Sequence, residues 1–321
     1  MKKKDDSIIE WLLTEQEIDR DETYPEFNLW KPIYLQTVKS WNDPIDRAIA
    51  GGFVADRVAY AFTAGYQASL QHLFPSLPCH TIAALCVSEE GGGHPRKIRT
   101  SLDPIKENKN PSPVWEMNGR KQFITNAGEA GRLMIAASKG ISPDGRNRIQ
   151  MIDIKRDVPG ITVIPMKELP FVTEISHGIL LLEKVPVKEE NLLPGDGYLD
   201  YIKPFRTIED IHVSAAIIGY LFRVADQYGW PHEIQAECLL LLTGFRALSA
   251  ENPKNPAVHI VLGSILNQTA RLINIIEPYW TDVEAGTRNA WIRDQKLMGI
   301  AKEAREKRLA AAWSCFAKKD R

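Results

Sequence analysis

Two short runs in this 321-residue sequence combine polar side chains with a backbone able to approach a ligand closely. The first is Leu85-Cys86-Val87-Ser88-Glu89-Glu90-Gly91-Gly92-Gly93-His94. The second is Asn118-Gly119-Arg120-Lys121-Gln122-Phe123-Ile124-Thr125-Asn126-Ala127-Gly128. Successive glycines bring bare backbone amides to the surface of a turn, so Gly91–Gly93 reads either as a phosphate cradle or as a flexible connection. In the second run Asn118-Gly119 reads as a tight hairpin, with Phe123-Ile124-Thr125 on the strand that follows. The sequence has no Gly-x-Ser-x-Gly elbow, no Walker loop, no His-Glu-x-x-His and no Gly-x-Gly-x-x-Gly after a strand, so those chemistries lack their motifs. Cys79, Cys86, Cys238 and Cys315 form no Cys-x-x-Cys pair and sit mostly in apolar runs, which predicts free thiols and no metal site.

The bulk properties narrow the partners. Lys and Arg number 40 against 41 Asp and Glu, a formal net charge of -1, and nothing in that balance favours nucleic acid or an anionic membrane. No stretch approaches the roughly 18 consecutive apolar residues of a membrane span, and Met1-Lys-Lys-Lys-Asp-Asp is followed by no signal-peptide core; a cytoplasmic protein is expected. With 44% hydrophobic residues the chain can bury a sizeable core.

Elements that must position the two runs follow from periodicity. Ile8 to Leu13 and Ile45 to Leu70 carry apolar residues at helical spacing (Phe53, Val54, Val58, Phe62, Tyr66), closed by Pro75 and Pro78. From Ile82 the texture changes to short runs between turn residues. The expected strands are Ala83–Val87, Val114–Met117, Lys121–Thr125, Leu133–Ser138, Ile149–Ile154, Ile161–Met166 and Gly178–Leu182, forming a compact antiparallel barrel or sandwich. After Pro194-Gly195-Asp196-Gly197 the period returns to 3.6. Ile208, Ile211, Ala215, Ile218 and Phe222 mark one face of a helix, with Thr207 placed as its cap and Asp210 as the reciprocal partner. Further helices are expected over His232–Ala250, Ala257–Ile276 and Asn289–Phe316. The basic stretch Lys302 to Arg308 reads as the solvated face of the last one, whose other face carries Ile300, Ala304, Leu309 and Trp313. The fold class is therefore α+β, with a helical segment at 1–81, a β-domain at 82–199 and a helical bundle at 200–321.

In wording and order, the β segment resembles the middle domain of the acyl-CoA dehydrogenase superfamily. Leu85 to His94 resembles its first signature, in which Thr-Glu-Pro is followed by a small-residue loop ending Gly-Ser-Asp. Asn118 to Gly128 resembles its Asn-Gly-x-Lys-x-Trp-Ile-Thr-Asn signature. Asp157-Val158-Pro159-Gly160-Ile161-Thr162-Val163 and Val185-Pro186-Val187-Lys188-Glu189-Glu190-Asn191-Leu192-Leu193 resemble later signature stretches. The resemblance implies an FAD-dependent oxidoreductase of fatty acid metabolism acting on acyl-CoA or a related thioester, assembled as a homodimer or homotetramer. Flavin is a flat amphipathic ring needing hydrogen-bond donors at its edge, and its pyrophosphate favours glycine-rich amides. By resemblance Thr125 sets its hydroxyl at the flavin edge, beside Ile124. Phe123 stands for the aromatic packed on the ring, Ser88 replaces the family's threonine, and Gly93 and His94 belong to the pyrophosphate loop.

Some positions depart from the family's pattern. His94 stands where serine is usual and Glu90 where proline is usual, and the C-terminal third lacks both the Arg-x-Phe-Gly pattern and the Tyr-Glu-Gly-Thr segment with the usual base. Val283-Glu284-Ala285-Gly286-Thr287 is the nearest text. A minority of the family carries the base on the first helix after the β-domain. Aligned on Gly219, that place is Glu209, with Asp210 where an arginine would stand. Removal of a thioester α-proton requires one ionised, partly desolvated carboxylate. An acid in a first helical turn also serves the helix dipole alone. On a helical wheel Glu209 shares a face with His212, Ala216 and Arg223, which either lines a pocket or meets water. His177 reads as a structural histidine. A catalytically silent homologue, or a flavin monooxygenase or nitroalkane-oxidising enzyme, would share the same fold.

Overall fold

The computed structural model describes residues 7–15, 18–19, 21–105 and 115–317. Met1–Asp6 and Val114, on which two of the expectations fall, lie outside the described residues. The chain forms two compact units. One, helical, comprises Met1–Cys79, Pro170–Glu174 and Thr207–Arg321; the other, the β unit, comprises His80–Leu169 and Ile175–Arg206. The two helical stretches at the ends of the chain thus belong to one unit.

The β unit is a seven-stranded sheet of β1 (Ala83–Cys86), β2 (Ser101–Pro104), β3 (Trp115–Thr125), β4 (Arg132–Ile141), β5 (Asn147–Lys155), β6 (Ile161–Pro165) and β7 (His177–Val187), in the order β1-β4-β2-β3-β7-β6 with β5 on β4. Most neighbours are antiparallel, as expected. β1, however, runs parallel to the start of β4, and β2 meets β4 in parallel at Ser138. Inward residues such as Cys86, Met117, Ile124, Ile135, Ile152 and Leu182 form its apolar core.

Asn118-Gly119 is not a hairpin. β3 runs straight through it, with a register shift against β7 between Met117 and Gly119. The Asn118 Oδ1 accepts from Lys184 N at 2.7 Å. Glycine is required because a Cβ here would lie 2.4 Å from Thr100 Oγ1 and 2.7 Å from its Cα. Strand β2, four residues long, has no counterpart in the sequence reading.

The helical unit contains α1 (Ile8–Thr14), α2 (Phe27–Val38), α3 (Pro44–Phe53), α4 (Val58–Leu73), α5 (Lys203–Gln227, whose first turn lies in the β unit), α6 (His232–Ser249), α7 (Pro256–Ile276), α8 (Ala285–Asp294) and α9 (Lys302–Ser314). The apolar run from Ile45 is two helices, not one, broken at Val54–Arg57. The stretch from Asn289 is likewise two, α8 and α9. Small residues let α5 touch its neighbours: a Cβ at Gly52 would lie 1.9 Å from Ala216 O, and one at Gly65 would lie 2.4 Å from Val213 Cα. Such approach leaves no room for a branched side chain.

The start of α5 also corrects the capping expectation. The helix begins at Lys203 after one π-helical turn, Gly197–Ile202, and it is Asp196 that caps this turn by accepting from Tyr198 N and Leu199 N at 2.8 Å. Thr207 lies inside the helix. No helix among the described residues is long and apolar enough to cross a membrane.

Candidate functional site

The two chemistry-bearing runs are joined directly. Gln122 N, on β3, donates to Ser88 O at 2.8 Å, so the polar loop after β1 lies alongside the end of β3. Glu89 and Gly92 exchange backbone hydrogen bonds in both directions, closing a tight turn over Glu90 and Gly91. Gly91 (φ 90°) and Gly92 (φ 103°) take a backbone conformation that side chains resist.

Beneath this turn lies a pair of charges whose role the sequence reading did not assign. Lys121 is fully buried, and its Nζ donates to Glu89 Oε1 at 2.6 Å and to Val87 O at 3.3 Å. Glu89 also accepts from Arg99 N at 2.8 Å, Thr100 N at 3.0 Å and Thr100 Oγ1 at 2.7 Å. Burial alone would raise the Glu89 carboxyl. The Lys121 charge and the hydrogen bonds from Lys121, Thr100 and Arg99 outweigh it and hold the group below the ordinary carboxylate value. A buried carboxylate with this many donors is a rigid post on which both runs hang.

At the end of β3 the pairing with β7 shifts between Lys121 and Ile124. Phe123 sits in that irregularity at φ 56° and is 59% exposed, an aromatic face turned out of the β unit. A bulky residue at positive φ is a strained placement, and such placements gather at ligand sites. Ser88 and Thr125 are half-buried, and neither hydroxyl has a hydrogen-bond partner among the described residues. Thr125 pairs with His177 across the sheet. Ile124, expected at the cofactor, is 2% exposed and packs in the core instead, so its side chain supports the strand from below. Gly93 lies against Ser88, where a Cβ would come 3.5 Å from Oγ. His94 is exposed, and its Nδ1 accepts from Arg96 N at 3.2 Å, capping the short turn Pro95–Lys97.

Six of the seven candidate residues are in the β unit; Glu209 is on α5 in the helical unit. It is half-buried and stands seven residues into the helix, beyond the first turn in which the dipole acts most strongly. The face it shares is no solvent face: His212, Ala216 and Arg223 are all buried. His212 donates Nδ1–H to Ile208 O at 2.8 Å, and burial, reinforced by His72, pushes its imidazole down to about 3.

Next to Glu209, Asp210 binds two arginines of α9. Arg305 Nη2 lies 2.8 Å from its Oδ1, and Arg308 bonds its Oδ2. The stretch from Lys302 to Arg308 is therefore not merely a solvated face. Trp313 and Ile300, expected on the packed face of that helix, are mostly exposed, while Leu309 packs on Gly263 of α7. Glu284 is the N-cap of α8, accepting from Gly286 N at 2.9 Å and Thr287 N at 3.0 Å, and these amides lower its pKa. Desolvation lowers the His177 pKa, and its Nδ1 bonds Ile175 O at 3.1 Å, a structural arrangement. Cys86 and Cys238 are buried, with thiols pushed up to about 12, whereas Cys315 is exposed; all four cysteines are free.

No family model matches the chain. Over 105 residues, 33% of this chain, it is 33% identical to the probable acyl-CoA dehydrogenase YngJ of Bacillus subtilis, and the match spans about a quarter (27%) of that relative's length. In three dimensions it is similar to butyryl-CoA dehydrogenase from Megasphaera elsdenii, at a TM-score of 0.66 and 16% identity, covering 98% of this chain and 100% of that one. PigA with FAD and proline is similar at a TM-score of 0.62 and 13% identity, covering 89% of each chain. These structural likenesses concern the fold.

Proposed function

We propose that this chain, which has the fold of acyl-CoA dehydrogenases and is similar over a third of its length to one of them, is an FAD-dependent oxidoreductase that forms an α,β-double bond in acyl-CoA or a related acyl thioester. The observation that carries the reading is Phe123, an exposed aromatic held at positive φ on the strand end that Gln122 N ties to Ser88 O and that the buried Glu89–Lys121 pair anchors.

These residues fit FAD. A flat ring gains from an aromatic face with hydroxyl donors at its rim, and the Gly91–Gly93 turn presents bare backbone to a pyrophosphate. Lys97 adds a cation there, since a Cβ at Gly91 would lie 3.7 Å from its Nζ. His94 contributes Nε2–H, its Nδ1 being used by Arg96 N. When bound, FAD supplies the acceptor for the β-hydride.

The chain's own residues do the rest. Thr125 and Ser88 orient the ring edge through their hydroxyls, and Phe123 excludes water from one face. Glu209 accepts the α-proton on its carboxylate, as a half-buried acid without a full solvent shell is suited to do. Glu284 is engaged as a helix cap, which favours Glu209 over it for that role. The reading places the enzyme in the cytoplasm as a homodimer or homotetramer without nucleic-acid partners. The exposed Ile300, Trp313 and Phe316 of the C-terminal segment are surface that self-association would cover.

The test is anaerobic mixing of the FAD-loaded protein with acyl thioesters of graded length. The reading predicts bleaching of the visible flavin band by at least one of them. Retention of FAD with no bleaching by any thioester would instead identify a catalytically silent homologue or an enzyme of different chemistry on this fold.

A further inference from the structure

The β unit carries a concavity made by the start of β4, the end of β5, the end of β7 and the turn Glu189–Asn191. Its volume is about 640 Å³, within the range of small-molecule sites. Its residues are distinct from those assigned to FAD.

Charge is arranged there in an unusual way. Arg132 and Lys155 are direct partners in the antiparallel β4–β5 register, and so project from the same face of the sheet. Like charges directly opposite one another destabilise a strand pair. Arg132 is compensated, since its guanidinium forms a two-point ion pair with Asp153, Nε to Oδ1 at 2.8 Å and Nη2 to Oδ2 at 2.6 Å. That engages both carboxylate oxygens of Asp153. Lys155 has no partner among the described residues. Lys188, the third cation at the rim, is 3.6 Å from Glu190, and both are largely exposed, so that pair is weak. Three cations against Asp153 and Glu190 leave one positive charge in excess. The walls between them are apolar, from Ile154, Val158 and Pro186. Asn191 fixes the far side, donating Nδ2–H to Asp153 O at 3.0 Å while its Oδ1 accepts from Lys188 N at 3.0 Å.

We propose that this pocket binds a small organic anion, a phosphate or carboxylate carried on a compact apolar body, with Lys155 and Lys188 receiving the anion and Val158 and Pro186 the body. An anion between the two lysines relieves the like-charge opposition of Arg132 and Lys155. The rim lysines are exposed and can be changed without disturbing the core.

Phenyl phosphate and benzoate, which share a ring and differ in charge, serve as probes, with phenol as the neutral control, titrated into the full-length protein saturated with FAD and followed by chemical-shift changes of the β unit. Saturable binding of one or both anions with shifts at Val158 and Asn191, none with phenol, and a loss of about tenfold or more in Lys155→Gln/Lys188→Gln, the size expected when charged donors are removed, is the predicted result. Tighter binding of phenyl phosphate identifies a phosphate ligand and tighter binding of benzoate a carboxylate. The proposal is overturned if neither anion saturates, if phenol binds equally, or if the double variant binds as the wild type does. FAD binding is measured on the same variant and stays unchanged, which separates this pocket from the flavin site.

Discussion

Lys121 and Glu89, 32 residues apart in the chain, meet at 2.6 Å with Lys121 fully buried and Glu89 nearly so. The pair ties β3 to the glycine turn after β1, and through Thr100 it ties in the approach to β2. Breaking a buried pair leaves a charge without compensation, so Glu89→Gln or Lys121→Met should each cost about 3–5 kcal/mol in chemical denaturation. Combined, the two changes should cost clearly less than their sum, because the second removes the charge that the first stranded. Additive losses would show that the two side chains do not act on each other.

Acid sensitivity follows from two groups with depressed values. Glu89 contributes stability that is fully present above the ordinary carboxyl value of 4.5 and is lost as pH falls through its lower folded value. His212 takes up a proton more readily unfolded, at 6.5, than folded, at about 3, so its contribution declines as pH falls from 6.5 towards 3. Melting temperature measured against pH should drop over that range, and His212→Leu should flatten the upper part of the drop. An unchanged profile in His212→Leu would remove the imidazole from the account.

The base assignment separates two carboxylates. Glu209→Gln should still bind FAD and acyl-CoA but reduce the flavin ~10²–10⁴-fold more slowly, the usual consequence of deleting a general base. Glu284→Gln should keep the rate and only weaken the start of α8. Stopped-flow reduction of both variants decides between them, and the reverse pattern would move the base to Glu284.

Asp210 is the anchor for α9 through Arg305 and Arg308. Asp210→Asn should lower stability by about 2 kcal/mol, since charged hydrogen bonds are lost, and should loosen α9 selectively. Hydrogen exchange at residues 302–314 reads this directly. Protection equal to the wild type would show that apolar contacts such as Leu309 on Gly263 hold the helix alone.

Much of this was legible in the sequence, for identifiable reasons. Helix and strand periods placed the α-β-α order, and the signature wording named Ser88 and Thr125 as candidates. Alternation along a strand already sets Ile124 opposite its two neighbours, a signal overshadowed by the motif's wording. The partnership of Glu89 with Lys121 and that of Asp210 with Arg305 and Arg308 join distant segments, so no local pattern reports them. Arginines three apart on a charged helix look solvated until the facing carboxylate is seen. Asn118-Gly119 has the composition of a turn, yet the close approach of Thr100 makes it a point of contact within a strand.

The central claim is that the end of β3 and the glycine turn hold FAD. Titration of the purified protein with FAD, followed by flavin absorbance and by thermal stability, tests it most directly. The account predicts saturable binding with a rising melting temperature, weakened in Phe123→Ala and accompanied by a shifted flavin spectrum in Thr125→Val. A colourless protein that FAD does not stabilise at any concentration, or binding indifferent to both substitutions, would contradict it.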